Sequence, residues 1–79
     1  MCLDIDGNSK SKGRKVHQWP CHKGANQQWR LDNQGGGWFR LVVRHSNQCM
    51  DVSGGKKGNR EKYIQWPCHK GGNQKFKIY

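Results

Sequence analysis

The sequence predicts an all-β domain of short strands, closed as a barrel or sandwich and built on an internal repeat. Three observations carry this. The stretch Trp19-Pro20-Cys21-His22-Lys23-Gly24-Ala25-Asn26-Gln27 returns as Trp66-Pro67-Cys68-His69-Lys70-Gly71-Gly72-Asn73-Gln74, an offset of 47 (66 − 19) that also sets Cys2 on Cys49, Asp4 on Asp51 and Trp29 on Phe76. A period of this length marks a fold assembled from repeated supersecondary units. The apolar residues fall in short alternating runs bounded by Gly, Asn, Ser and Lys, which is a strand pattern. No segment sustains a 3.6-residue apolar period.

Taken along the chain, Cys2-Leu3-Asp4-Ile5 reads as the first strand, Val16-His17-Gln18-Trp19 as the second, Gln28-Trp29-Arg30-Leu31 as the third and Phe39-Arg40-Leu41-Val42-Val43 as the fourth. Cys49-Met50-Asp51-Val52, Tyr63-Ile64-Gln65-Trp66 and Phe76-Lys77-Ile78-Tyr79 repeat the first three. Asp6 to Gly13, Asn33 to Gly37 and Ser53 to Arg60 are the turn-rich intervals. Trp29 and Phe76 alternate with their neighbours as core positions do. The first unit spans 1–48, with strand 38–43 leading into the next, and the second spans 49–79, stopping after its third strand. That is about one and two-thirds units, fewer than such folds usually stack.

With 79 residues, 32% of them hydrophobic, the chain has little apolar surface to bury. Four Trp supply large area from few positions, and four Cys supply covalent ties. Four Cys allow three pairings, and the simplest pairing that respects the repeat stays within each copy, Cys2 with Cys21 and Cys49 with Cys68. Disulfides imply an oxidising compartment, hence a secreted or extracellular protein. The repeat begins directly after Met1 with no signal peptide, so secretion would require a leader upstream. No apolar run reaches membrane-spanning length.

The net charge of +10 attracts polyanions, and it also serves solubility in a chain with little to bury. The basic residues cluster in matching loops, Lys10, Lys12, Arg14 and Lys15 in one copy and Lys56, Lys57, Arg60 and Lys62 in the other. They read either as solvated loops or as added attraction for acidic glycans. No DNA- or RNA-binding motif accompanies them, so nucleic acid is not the expected partner. His22 and His69 each follow a Cys, but the close Cys-x₂₋₄-Cys or His-x₃₋₅-His spacing of structural zinc is missing, so no metal or other cofactor is expected. A Cys nucleophile needs a free thiolate and an orienting base, and a symmetric duplicate of one would be odd; the chain does not read as an enzyme.

Cys-Leu-Asp-Ile, then Gln-Trp-Pro-Cys-His, then Asn-Gln-Gln-Trp, in that order and spacing, resembles one subdomain of the ricin B-type lectin β-trefoil, a family that includes the family-13 carbohydrate-binding modules. The resemblance covers nearly the whole chain, twice over. It implies a partial β-trefoil lacking its third subdomain, a disulfide within each subdomain, and a shallow sugar pocket in each, with galactose or GalNAc-type sugars as the commonest ligands. In that pattern the Asp accepts bonds from sugar hydroxyls, the aromatic before Pro-Cys stacks on the sugar, and the His and Asn-Gln support it. By position, the first site is Asp4, Trp19, His22, Asn26 and Gln27, and the second is Asp51, Trp66, His69, Asn73 and Gln74. His17 and Ile64 stand where related chains often carry a polar contact residue, which leaves the second site less polar. The missing unit would be supplied by a longer chain or by association of copies, because exposed strand edges are a liability.

The residues themselves leave alternatives. Asp4 and Asp51 suit a strand-end turn cap as well as a ligand acceptor. Trp19 and Trp66 suit burial under the Cys pair as well as stacking. Gln27 and Gln74 are expected chiefly to hold the turn through backbone hydrogen bonds. Asn26 and Asn73 serve the turn or the ligand.

Overall fold

In a computed structural model of the chain, residues 1–52 and 63–77 are described. Seven strands follow one another: β1 (Cys2–Ile5), β2 (Val16–Trp19), β3 (Trp29–Gly35), β4 (Trp38–Val43), β5 (Cys49–Val52), β6 (Tyr63–Trp66) and β7 (Phe76–Lys77). β1 pairs with β2, while β3, β4, β5 and β6 form a second sheet in which β7 joins β4. All pairings are antiparallel. The architecture is a partial β-trefoil. No helix among the described residues is long and apolar enough to cross a membrane.

The repeat is repeated in register. Cys2 faces Trp19 and Asp4 faces His17 in the first hairpin; Cys49 faces Trp66 and Asp51 faces Ile64 in the second. Each hairpin is tied by its own disulfide, Cys2–Cys21 and Cys49–Cys68, so the pairing stays within each copy.

The first basic loop joins the two copies. Gly13 N donates to Gln65 O at 2.7 Å, Gln65 N donates to Arg14 O at 2.9 Å, and Lys15 bridges Ile64. The side chain of Gln65 donates to the carbonyls of Ser9 and Ser11, both at 2.8 Å, and is fully buried. Its counterpart Gln18 is exposed, because no such loop lies over β2 among the described residues.

Among the described residues the buried apolar core is small: Ile5, Val42, Val43, Cys49 and Met50. Trp29 and Phe76, expected in the core, are half-buried instead. Trp29 spends its indole N–H on Leu3 O at 3.1 Å, which holds the ring at the rim of the sheet. Phe76 borders a cavity of about 370 Å³ with Leu3, Val16, Met50 and Tyr63, between the two hairpins. Leu3, Leu31, Trp38 and Tyr63 remain exposed.

The interval Asn33 to Gly37, read as a loop, is partly strand. β3 runs on to Gly35 through a bulge, and the turn is confined to Gly36 and Gly37. Gly35, Gly36 and Gly37 all have positive φ, which a side chain would resist. Arg40 pairs with Asp32 across this hairpin at 2.7 Å and holds the Asp32 carboxyl below its ordinary value. The interval Ser53 to Arg60, the basic residues Lys56, Lys57, Arg60 and Lys62, and the strand end Ile78-Tyr79 lie outside the described residues.

Candidate functional site

The first site is built around a carboxylate. Asp4 lies in β1 with its side chain almost fully buried, and four donors converge on it. His17 Nε2 donates to Oδ1 at 2.8 Å; Gln27 Nε2 donates to Oδ2 at 2.7 Å, with His22 Nε2 and Asn26 Nδ2 both at 3.3 Å. Burial disfavours the charged form, but hydrogen bonds from Gln27, His17 and His22 outweigh it and hold Asp4 below the ordinary aspartate value. Oδ2 is crowded, whereas among the described residues Oδ1 accepts from His17 alone and keeps a lone pair for an incoming hydroxyl.

The turn after Cys21 sets the donors. Gln27 does two jobs: its Oε1 accepts from His22 N at 2.8 Å, and its Nε2 also donates to Pro20 O at 3.0 Å. His22 Nδ1 accepts from Gly24 N at 2.9 Å, which places the ring proton on Nε2, the atom facing Asp4. Asn26 ties the turn to β1 by donating to Ile5 O at 3.1 Å. The backbone at Gly24 passes so close that a Cβ there would sit 2.7 Å from His22 Nδ1 and 2.8 Å from Asn26 Oδ1.

The second site repeats this network. Asn73 Nδ2 donates to Asp51 Oδ1 at 2.9 Å and Gln74 Nε2 to Oδ2 at 2.8 Å, while His69 Nε2 lies 3.4 Å from Oδ2. Gln74 Oε1 takes His69 N and Gly71 N donates to His69 Nδ1, as in the first copy. The difference is at Ile64, which faces Asp51 where His17 faces Asp4. Asp51 therefore accepts from two side-chain donors among the described residues where Asp4 accepts from four.

The aromatic residues complete each set. Trp19 is 53% exposed and Trp66 36%, so neither ring is buried beneath its disulfide. The His17 ring lies parallel to Trp19, with centroids 5.3 Å apart and 11° between planes. An open pocket of about 750 Å³ contains Asp4, His17, Trp19, His22 and Asn26, and extends past Asn8 and Lys10 to His45. Gln27 sits behind Asp4, outside the pocket wall, and Gln74 is fully buried; both act by positioning. An ionised acceptor beside an open aromatic face can bind a polyol, whose C–H face stacks while its hydroxyls donate.

The sequence reading named every carboxylate, Trp, His and amide in these networks. It did not give a role to Gly24 and Gly71, although both recur at the repeat offset, nor to Asn8 and His45 in the pocket wall. The basic loop does not act as one patch. Lys10 borders the first pocket, Lys12 lies over the Trp66 ring at 5.3 Å, and Arg14 pairs with Asp6 at 3.0 Å.

No curated protein matches the chain. Among solved structures, the designed three-fold symmetric protein ThreeFoil is 38% identical with a TM-score of 0.90, over 92% of this chain and 52% of that one. An exo-β-1,3-galactanase from Clostridium thermocellum is 29% identical with a TM-score of 0.91, over 95% of this chain and 16% of that one. The chain thus spans about half the length of the first and about a sixth of the second. The model of the ricin-type β-trefoil lectin domain-like family matches residues 1–66 and again 39–79, covering the whole chain. With its duplicated Cys-x-Asp and Trp-Pro-Cys-His networks, the chain belongs to the ricin-type β-trefoil lectin domain-like family.

Proposed function

We propose that the chain is a non-catalytic carbohydrate-binding module that recognises galactose or GalNAc-type sugars, or acidic glycans, through Asp4, Trp19, His22 and Asn26 and through Asp51, Trp66, His69 and Asn73. The observation that carries this reading is the Asp4 carboxylate, ionised and oriented by four donors, in one pocket with the open face of Trp19. The likeness to a protein named a galactanase supports a galactose-type ligand. Shallow sites of this kind bind weakly one at a time, and presenting several together raises the effective concentration. The units 1–48 and 49–79 are the proposed modules. A third, from a longer chain or another copy, would cover the exposed Leu3, Leu31 and Trp38. Two disulfides support an extracellular setting.

The net charge of +10 favours a second reading, a polyanion-binding or protein-docking trefoil with inactive sugar pockets. A glycan array probed at two salt concentrations separates them. The lectin reading expects neutral galactosides to bind at both, and Asp4→Ala with Asp51→Ala to abolish the signal. Loss of all binding at high salt, with no effect of the two substitutions, would sink it.

A further inference from the structure

The two sites share a plan but not their surroundings, and the difference lies in what the first copy delivers to the second. Residues 9–15 lie against β6, held by Gly13 N to Gln65 O, Gln65 N to Arg14 O, and the buried Gln65 side chain on the carbonyls of Ser9 and Ser11. Gln48 Nε2 adds a bond to Lys10 O at 2.7 Å. Lys12 therefore sits between two anchored neighbours, Ser11 and Gly13, and Gly13 has φ +86°, a turn that a side chain would resist. The outcome is an ammonium 5.3 Å from the centroid of Trp66. Among the described residues nothing equivalent lies over Trp19, whose stacked neighbour is the His17 ring from its own strand.

We propose that Lys12, a residue of the first repeat, is a specificity-determining residue of the second site, and that it makes this site select glycans carrying a sulfate or carboxylate. The inference rests on the lectin reading. Trp66 stays 36% exposed, so its ring remains available to a sugar while the ammonium stands beside it. A cation over an exposed ring is held only weakly, whereas an ammonium–oxyanion hydrogen bond is charge-assisted and stronger. A sugar on the indole that brings an anionic substituent within reach gives Lys12 a better partner than the ring. A neutral sugar leaves Lys12 on the ring and competes with it. At the first site, the group facing the carboxylate is His17 and no described Lys lies over the aromatic plate, so neutral sugars meet no such competition there.

The test uses the full chain and matched probes, methyl β-galactoside and its 6-sulfate, in titration calorimetry. Trp19→Ala removes the first aromatic plate and leaves the second site to be read. In that variant the sulfated probe is expected to bind roughly fivefold to tenfold tighter than the neutral one. Adding Lys12→Met, which keeps the apolar stem, abolishes the preference, and Lys12→Arg retains it. A melting temperature unchanged by Lys12→Met separates ligand reading from a structural role. Equal binding of the two probes by the Trp19→Ala variant, no binding by it at all, or a preference that survives Lys12→Met overturns the inference while the lectin reading stands. Failure of the unaltered chain to bind either probe overturns both.

Discussion

Gln27 donates to Asp4 Oδ2 at 2.7 Å while its carbonyl oxygen takes the backbone N–H of His22, so one carboxamide sets both the acceptor and the loop that surrounds it. Gln74 does the same for Asp51 and His69 from a fully buried position. Removing either leaves polar groups short of a partner, at a cost of about 1–3 kcal/mol. Gln74→Ala should be the more destabilising because water cannot replace the lost bonds there. Urea unfolding of the two variants checks the order.

Gly24→Ala and Gly71→Ala should weaken sugar binding through His22 and His69. The added methyl would press on the imidazole and on Asn26 or Asn73, and overpacking of this kind costs about 1–3 kcal/mol. The expected sign is reduced affinity with the fold retained, read by calorimetry beside circular dichroism.

His17 and Ile64 predict unequal sites. Exchanging His17 for Ile removes the bond to Asp4 Oδ1 and the ring parallel to Trp19. A hydrogen bond to a charged group is worth about 1.5–3 kcal/mol, so affinity at the first site should fall roughly tenfold or more. Ile64→His should strengthen the second site. Chemical-shift titration, which resolves the two indoles, distinguishes them.

The acid limb of stability should carry the mark of Asp4. Its folded-state value lies below that of the unfolded chain, so its contribution is complete above the ordinary aspartate value of about 3.9. That contribution is lost as pH falls through the folded value. Melting temperature should therefore drop below about pH 4, and Asp4→Asn should flatten that part of the curve. An unchanged acid limb in the variant would contradict the assignment.

Reduction tests the two staples. Each closes a loop with a sequence separation of 19, for which chain entropy predicts about 3 kcal/mol. With so small an apolar core, reducing both should unfold the chain at moderate temperature. Loss of the dispersed near-ultraviolet Trp signal on adding a reductant would report it.

The strand order was legible because the strands are short, alternate, and are separated by turn-forming residues such as Asp6-Gly7-Asn8, Pro20, Gly36-Gly37 and Pro67; β1, β2, β5 and β6 fall on Cys2–Ile5, Val16–Trp19, Cys49–Val52 and Tyr63–Trp66 as the pattern predicts. Equivalent residues proved less equivalent than the offset suggests. Gln18 is exposed and Gln65 buried, and Leu3 is exposed where Met50 is buried. Their local sequences match, but β5 and β6 sit inside a larger sheet and under the 9–15 loop, while β1 and β2 pair only with each other. The same reason explains Trp29 and Phe76, whose alternation marks an inward face but not how completely the neighbours close over it.

From the sequence alone came the all-β class, the duplicated unit and the chemical inventory of the two networks, because short-range patterning and an internal offset are properties of the chain order itself. Only the tertiary structure decided which atoms meet: His17 on Asp4, Gly24 against His22, and above all Lys12 on Trp66. That last contact joins residues of different repeats, and no offset within a repeat can reveal a contact that arises where one copy packs on the next.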